Sequence, residues 1–159
     1  MAATIDAMDW IAKPTGARLR DSALTDDISF LMARANALSL AAGNAALAPL
    51  GLRARSYSVL ELAAGGGRPT QRELAEFLRL DPSQVVALVD ELQGQGLVVR
   101  ESDPADRRTK VVAATPRGRE VCQAARAAAT AAEQTLHAGI SGSDRELLVD
   151  LLRRLAFAA

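Results

Sequence analysis

The chain has 159 residues, 49% of them hydrophobic, with 19 basic and 19 acidic side chains, one Cys and one His. A single thiol excludes an internal disulfide, and one Cys with one His leaves almost nothing for a metal cluster or for a Ser-His-Asp site other than one using His137. No apolar run approaches the roughly 20 residues of a membrane span, and no basic-then-apolar leader opens the chain, so a soluble cytoplasmic domain without a cofactor is expected.

The 33 alanines predict a mostly helical chain. A net charge of zero ordinarily argues against a nucleic-acid partner, but the charge is uneven. Residues 53–119 hold 11 basic and 9 acidic groups, and within them residues 100–119 hold six and three. Local field rather than total charge steers a polyanion.

Residues 1–20 read as a short helix and a loop, with the lone Trp10 packing the segment onto the domain or closing over a pocket. Over residues 25–48, apolar side chains at Ile28, Leu31, Met32, Ala35, Leu38, Ala42 and Ala45 keep helical period. Such a helix, with an acidic start at Thr25-Asp26-Asp27 and an end at Pro49 and Gly51, would be roughly 36 Å long. Residues 56–64 form a short helix closed by Gly65-Gly66-Gly67, which lacks the flanking pattern of a phosphate loop. Thr70 and Glu73 fit a capping box, and the helix they start carries Leu74, Ala75 and Leu78. Asp81 as N-cap and Pro82 at the first position open the next helix, with Val85, Leu88, Val89 and Leu92 as its buried stripe. Residues 97–101 and 111–114 read as the two strands of a hairpin with a charged tip. Thr115-Pro116 starts a helix running to about His137, and residues 143–158 are amphipathic, with Leu147, Leu148, Leu151, Leu152 and Leu155 on one side. Cys122 reads as a buried, inert thiol and His137 as a helix C-cap.

The order helix, helix–short turn–helix, hairpin is a winged helix-turn-helix. The expected fold is mostly α with a small β-hairpin wing: an N-terminal segment and long helix (1–52), the winged lobe (53–115) and C-terminal helices (116–159), one compact domain overall. The outer helices carry more apolar surface than such a domain needs, so they are expected to dimerise about a two-fold axis. The second helix of the turn suits the major groove, and the hairpin tip reaches the adjacent minor groove.

Residues 57–119 resemble the multiple-antibiotic-resistance regulator (MarR) family. The resemblance rests on Gln71-Arg-Glu-Leu-Ala-Glu-Phe-Leu78, Asp81-Pro-Ser-Gln-Val85, Leu88-Val-Asp-Glu-Leu92, Gln95-Gly-Leu-Val98, Arg100, Asp103-Pro-Ala-Asp-Arg-Arg108, Lys110, Thr115 and Gly118-Arg119. It implies a homodimer on a pseudo-palindromic operator in double-stranded DNA, usually a repressor relieved by a small ligand, often an aromatic anion. Arg53 and Tyr57, with Trp10, are then the candidate effector pocket, and Arg55 lies on its approach. No membrane partner and no catalysis are expected. The alternative within the same fold is a protein-binding adaptor without sequence-specific DNA binding.

The candidate DNA contacts are Arg53, Arg55, Arg68 and Arg72 ahead of the recognition helix, Pro82, Ser83, Gln84 and Ala87 on it, and Arg107, Arg108 and Lys110 in the wing. Gln84 can pair with adenine and Ala87 can meet a thymine methyl. Relatives often carry Thr-Arg where Val86-Ala87 stands here, and this recognition helix has no cation at all. Phosphate contacts, the wing and DNA shape are therefore expected to dominate, and Asp81 and Asp90 would oppose the polyanion unless the former is spent on capping and the latter on an Arg. Asp103 and Asp106 are the candidate wing stabilisers, one wing Arg tethered to an Asp and the other free. Arg79 stands where the turn commonly has Gly, and a left-handed backbone there would be strained.

Overall fold

The computed structural model describes residues 19–158, so Trp10 lies outside the described residues. The chain divides into two compact units, residues 1–38 and 39–159, with the boundary inside the first long helix. A 3-10 turn at Ala23–Asp26 precedes that helix, α1 (Ile28–Leu47). Within the Thr25-Asp26-Asp27 start it is Asp27 that caps α1: its Oδ1 accepts from the Phe30 amide at 2.7 Å, while the Thr25 hydroxyl turns back to the Ser22 carbonyl at 2.7 Å. The helix is accordingly 20 residues, about 30 Å, and shorter than its periodicity predicts.

In the unit 39–159, α1 ends in a second 3-10 turn, Ala48–Leu50, closed by Gly51 at φ 69°. Helix α2 (Ala54–Ala64) starts two residues ahead of the expected Ser56. Asn44 explains the shift, because its Oδ1 accepts from the Ala54 amide at 2.8 Å and caps the helix from outside it. Ser56 then lies inside the first turn, buried, with its hydroxyl accepting from the Arg53 amide at 2.9 Å. The capping box of α3 (Gln71–Leu78) forms as expected: Thr70 Oγ1 accepts from the Glu73 amide at 3.1 Å, and Glu73 Oε2 accepts from the Thr70 amide at 2.7 Å. Arg79 closes α3 at φ 53°, and the Leu80 amide reaches the Ala75 carbonyl at 3.1 Å, the hydrogen bond of a left-handed helix end.

Helix α4 (Pro82–Gly94) follows, then the antiparallel pair β1 (Val98–Ser102) and β2 (Lys110–Ala114), in register Val98 to Ala114 and Ser102 to Lys110. Helices α5 (Pro116–Leu136) and α6 (Gly142–Ala156) complete the chain. Each has its hydroxyl cap: Thr115 accepts from the Gly118 amide at 2.9 Å and Ser141 from the Asp144 amide at 3.2 Å. Among the described residues no helix is long and apolar enough to cross a membrane.

The core is built around α2, α3, α4 and the hairpin. Val59 and Leu60, Leu74, Val85, Val89 and Leu92, Leu97, Val98 and Val112 meet there, with Leu47 and Leu52 closing one side and Cys122 and Ala125 of α5 another. Leu88 is only half-buried and lies at the edge of this cluster. Helix α6 has no buried residue, and Leu147, Leu148, Leu151, Leu152 and Leu155 are all exposed.

Cys122 is 2% exposed, and its thiol donates to Glu61 Oε2 at 3.1 Å. Burial, and then that hydrogen bond, push the thiol up to about 12, so it stays protonated and is a poor nucleophile. Burial alone would raise Glu61, but the guanidinium of Arg126 and the Cys122 thiol outweigh it and hold the carboxyl below its ordinary range. Tyr57 belongs to the same cluster, its hydroxyl pushed up by burial and by Glu61.

A tight approach between elements lies where α5 begins. A Cβ on Gly118 would sit 1.9 Å from the Leu97 carbonyl oxygen, an overlap that only a shift of backbone could relieve. Gly118→Ala is therefore expected to cost about 2–3 kcal/mol or more. Thermal denaturation checks this: a melting temperature equal to that of the unaltered chain would contradict the packing described.

Candidate nucleic-acid interface

Asp81 orients the recognition helix α4. Its Oδ1 accepts from the Ser83 amide at 2.8 Å and from the Ser83 hydroxyl, and those two bonds hold the carboxyl below its ordinary range. The Ser83 proton is thereby committed, which leaves the hydroxyl an acceptor toward anything outside the protein. With Val85, Val89 and Leu92 buried, α4 exposes Pro82, Ser83, Gln84, Val86, Ala87 and Asp90. These outward positions split into two edges by helical spacing. Gln84, Ala87 and Glu91 lie along one, and Val86, Asp90 and Gln93 along the other.

The first edge faces a cavity of about 460 Å³ shared with α1 and the start of α2. Leu40, Asn44, Arg53, Arg55 and Leu88 complete its lining with Gln84, Ala87 and Glu91. Arg53 lines this cavity, and Arg55 joins it. Tyr57 does not line the cavity, because the Glu61 carboxylate one turn further on gathers it with Cys122 and Arg126 on another face of α2. Two guanidinium groups beside apolar Leu40, Ala87 and Leu88 suit a ligand with an anionic part and an apolar part.

The second edge faces the wing. Arg100 on β1 donates from Nη2 to Asp90 Oδ1 at 2.6 Å, from Nη1 to Gln93 Oε1 at 2.9 Å and from Nε to Gln71 Oε1 at 2.7 Å. Asp90 is thereby paired, as the charge pattern of the helix requires. Arg100 stands out in the sequence only as part of a motif, and its three partners lie 7, 10 and 29 residues away. No local signal carries that information.

At the wing tip, residues 103–109, both aspartates serve the backbone. Asp103 Oδ1 accepts from the Ala105 amide at 2.8 Å, and Asp106 accepts from the Arg108 amide at 3.0 Å and the Thr109 hydroxyl at 3.0 Å. The expected tether between one Asp and one wing Arg is absent among the described residues, because an aspartate in a tight turn finds the amide two residues on. Arg107 and Arg108 are exposed and take part in no ion pair among the described residues. Lys110 Nζ donates to Ser102 Oγ, its register partner, at 2.9 Å.

The other two candidate cations are engaged. Arg68, at φ 46°, pairs with Glu101 on β1 at 2.9 Å. Beside it the Val112 amide donates to the Pro69 carbonyl at 2.8 Å, so this loop lies along the hairpin. Arg72 pairs with Glu76 one turn away at 2.8 Å, fully on the surface. The exposed α4 residues, the wing tip and the Arg53–Arg55 pair therefore offer three sets of groups for a polyanion, and Arg68 and Arg72 would have to exchange partners to join them.

The model of the MarR family matches residues 50–109, which take in α2, α3, α4, β1 and the wing tip. Among solved structures, a MarR-family transcriptional regulator from Rhodococcus sp. RHA1 is 45% identical, with a TM-score of 0.80 over 87% of this chain and 98% of that one. CouR from Rhodococcus jostii RHA1, solved with p-coumaroyl-CoA bound, is 46% identical, with a TM-score of 0.78 over 87% and 97%. A transcriptional repressor, CouR, solved on a 23-mer DNA duplex, is 29% identical, with a TM-score of 0.76 over 84% and 94%. Curated transcriptional regulators align over 99 and 105 residues, and the chain spans 60% and 64% of their lengths. A winged lobe of this geometry, together with a relative 45% identical along nearly its whole length, establishes that the chain belongs to the MarR family of transcriptional regulators.

Proposed function

We propose that this chain is a homodimeric, cytoplasmic repressor that binds a pseudo-palindromic operator and releases it on binding an aromatic acyl thioester of coenzyme A. It acts by binding and not by catalysis. The observation that carries the reading is the wing: two exposed arginines have no carboxylate partner among the described residues, on a hairpin built by Asp103 and Asp106, beside a recognition helix whose Ser83, Gln84 and Ala87 are exposed. Guanidinium groups on such a tip reach the negative potential of the minor groove while the helix occupies the major groove. The duplex-bound neighbour supports this reading. The exposed leucines of α6 support the dimer, since an amphipathic helix with no buried residue in its own chain requires a partner surface.

The ligand reading rests on the cavity. Coenzyme A thioesters join several phosphates to an acyl group, and the cavity offers Arg53 and Arg55 beside Leu40, Ala87 and Leu88. The neighbour solved with p-coumaroyl-CoA is 46% identical. A ligand seated there covers Gln84, Ala87 and both arginines, all candidate DNA contacts, so ligand and operator compete for the same groups. Release then needs no large motion of the lobe.

Two measurements bear on this reading. Replacing Arg107 and Arg108 together with Ala is expected to weaken operator binding and to lower the slope of log affinity against log salt by about 0.9 for each phosphate that is no longer neutralised. An unchanged affinity with an unchanged slope would remove the wing from the interface. Added p-coumaroyl-CoA is expected to displace operator DNA in a mobility-shift or anisotropy titration, and Arg53→Ala is expected to weaken both ligand and operator binding. Displacement with no dependence on Arg53 would place the ligand elsewhere.

A further inference from the structure

Arg100 sits in the middle of β1 opposite Val112, away from the wing tip. Its side chain is only 27% exposed, and each of its three nitrogens donates to a different side chain: Gln71 at the start of α3, and Asp90 and Gln93 on α4. One planar fork therefore joins both helices of the turn to the wing strand. A lysine, with a single nitrogen on a flexible stem, cannot reproduce that pattern. The charges matter as much as the geometry. Helix α4 carries Asp90 and Glu91 and no cation, and the Asp90 side chain is 62% exposed. An unpaired carboxylate there would oppose a phosphate backbone. Arg100 is the group that faces Asp90 from the wing, while Glu91 lies on the cavity side with Arg53 and Arg55.

We propose that Arg100 is a positioning residue for sequence recognition, which holds the wing at a fixed place against the recognition helix and cancels the charge of Asp90 without itself touching DNA. The inference rests on the reading of this lobe as a duplex-DNA interface. Helix and wing address neighbouring grooves, so their relative placement decides which duplex shapes satisfy both at once. Loosening the bracket leaves the wing cations in place and degrades the match. Non-specific binding, which needs only cations near phosphates, persists.

The test compares the unaltered chain with Arg100→Ala, Arg100→Lys and Asp90→Asn, on a DNA selected from a random pool and on an unrelated duplex, across a salt series. Arg100→Lys, which keeps the positive charge, is expected to lose about tenfold or more in affinity for the selected DNA, with non-specific affinity held within about twofold and the salt slope unchanged, whereas Arg100→Ala, which also uncovers Asp90, is expected to lose at least as much on the selected DNA and to bind the unrelated duplex more weakly. Asp90→Asn keeps an acceptor for Arg100 and is expected to keep discrimination. Circular dichroism reports folding, and Arg100→Lys, which preserves the side-chain stem, serves if the Ala variant unfolds. A salt slope lowered by about 0.9 would make Arg100 a phosphate contact and overturn the inference. Full rescue by Lys, or undiminished discrimination in both variants, would overturn it too. If the unaltered chain itself prefers no sequence, the DNA reading fails as well, an outcome distinct from a discriminating protein that tolerates the loss of Arg100.

Discussion

The junction between the recognition helix, the wing and α5 governs the rest of the lobe. Leu97, between α4 and β1, accepts from the Thr115 amide at 3.0 Å, while the Thr115 hydroxyl donates to the Gly96 carbonyl at 2.8 Å and caps α5 through the Gly118 amide. Gly118 lies so close to Leu97 that no side chain fits between them. The start and the end of the hairpin are thus fastened at one point, directly after the helix that presents Ser83, Gln84 and Ala87. Arg100 adds the second fastening half a hairpin further out. With both in place, the wing is held against α4 at two points, which under the proposed function keeps the two parts in the fixed relation a duplex requires of a reader.

Electrostatics operate within that frame. The chain is neutral overall, and its recognition helix is acidic, yet four of the carboxylates near the interface are engaged. Asp81 caps α4, Asp90 pairs with Arg100, and Asp103 and Asp106 build the turn of the wing. Arg107, Arg108, Arg53 and Arg55 are left exposed by these arrangements. A neutral composition therefore conceals an interface in which one recognition-helix carboxylate is paired with a cation and three others are spent on caps and turns. Two of its cations also line a cavity with the exposed face of α4, so under the proposed function ligand and DNA draw on shared residues.

Much of this fold was legible in the sequence, and the reason is local. Thr70 with Glu73, Asp81 with Pro82, and Thr115 all form the caps expected, because a cap depends on amides two or three residues away. The left-handed Arg79 was likewise legible from the turn it occupies. What escaped depends on distant partners. Asn44 moves the start of α2 from ten residues back, and Glu61 draws Tyr57 into a cluster with Cys122 and Arg126, more than sixty residues away. The bracket of Arg100 spans three elements. The wing shows the same limit in reverse: electrostatic pairing was expected of Asp103 and Asp106, and the nearer backbone amides took precedence.

Two copies of this rigid lobe, reading DNA together, form the core of the proposed mechanism. Selection of bound duplexes from a random pool by the full chain tests it most directly. A symmetric dimer recovers a two-fold symmetric motif with half-sites about one helical turn, roughly 10 base pairs, apart. Recovery of no motif, or of a single asymmetric half-site bound by a stable monomer, would contradict it.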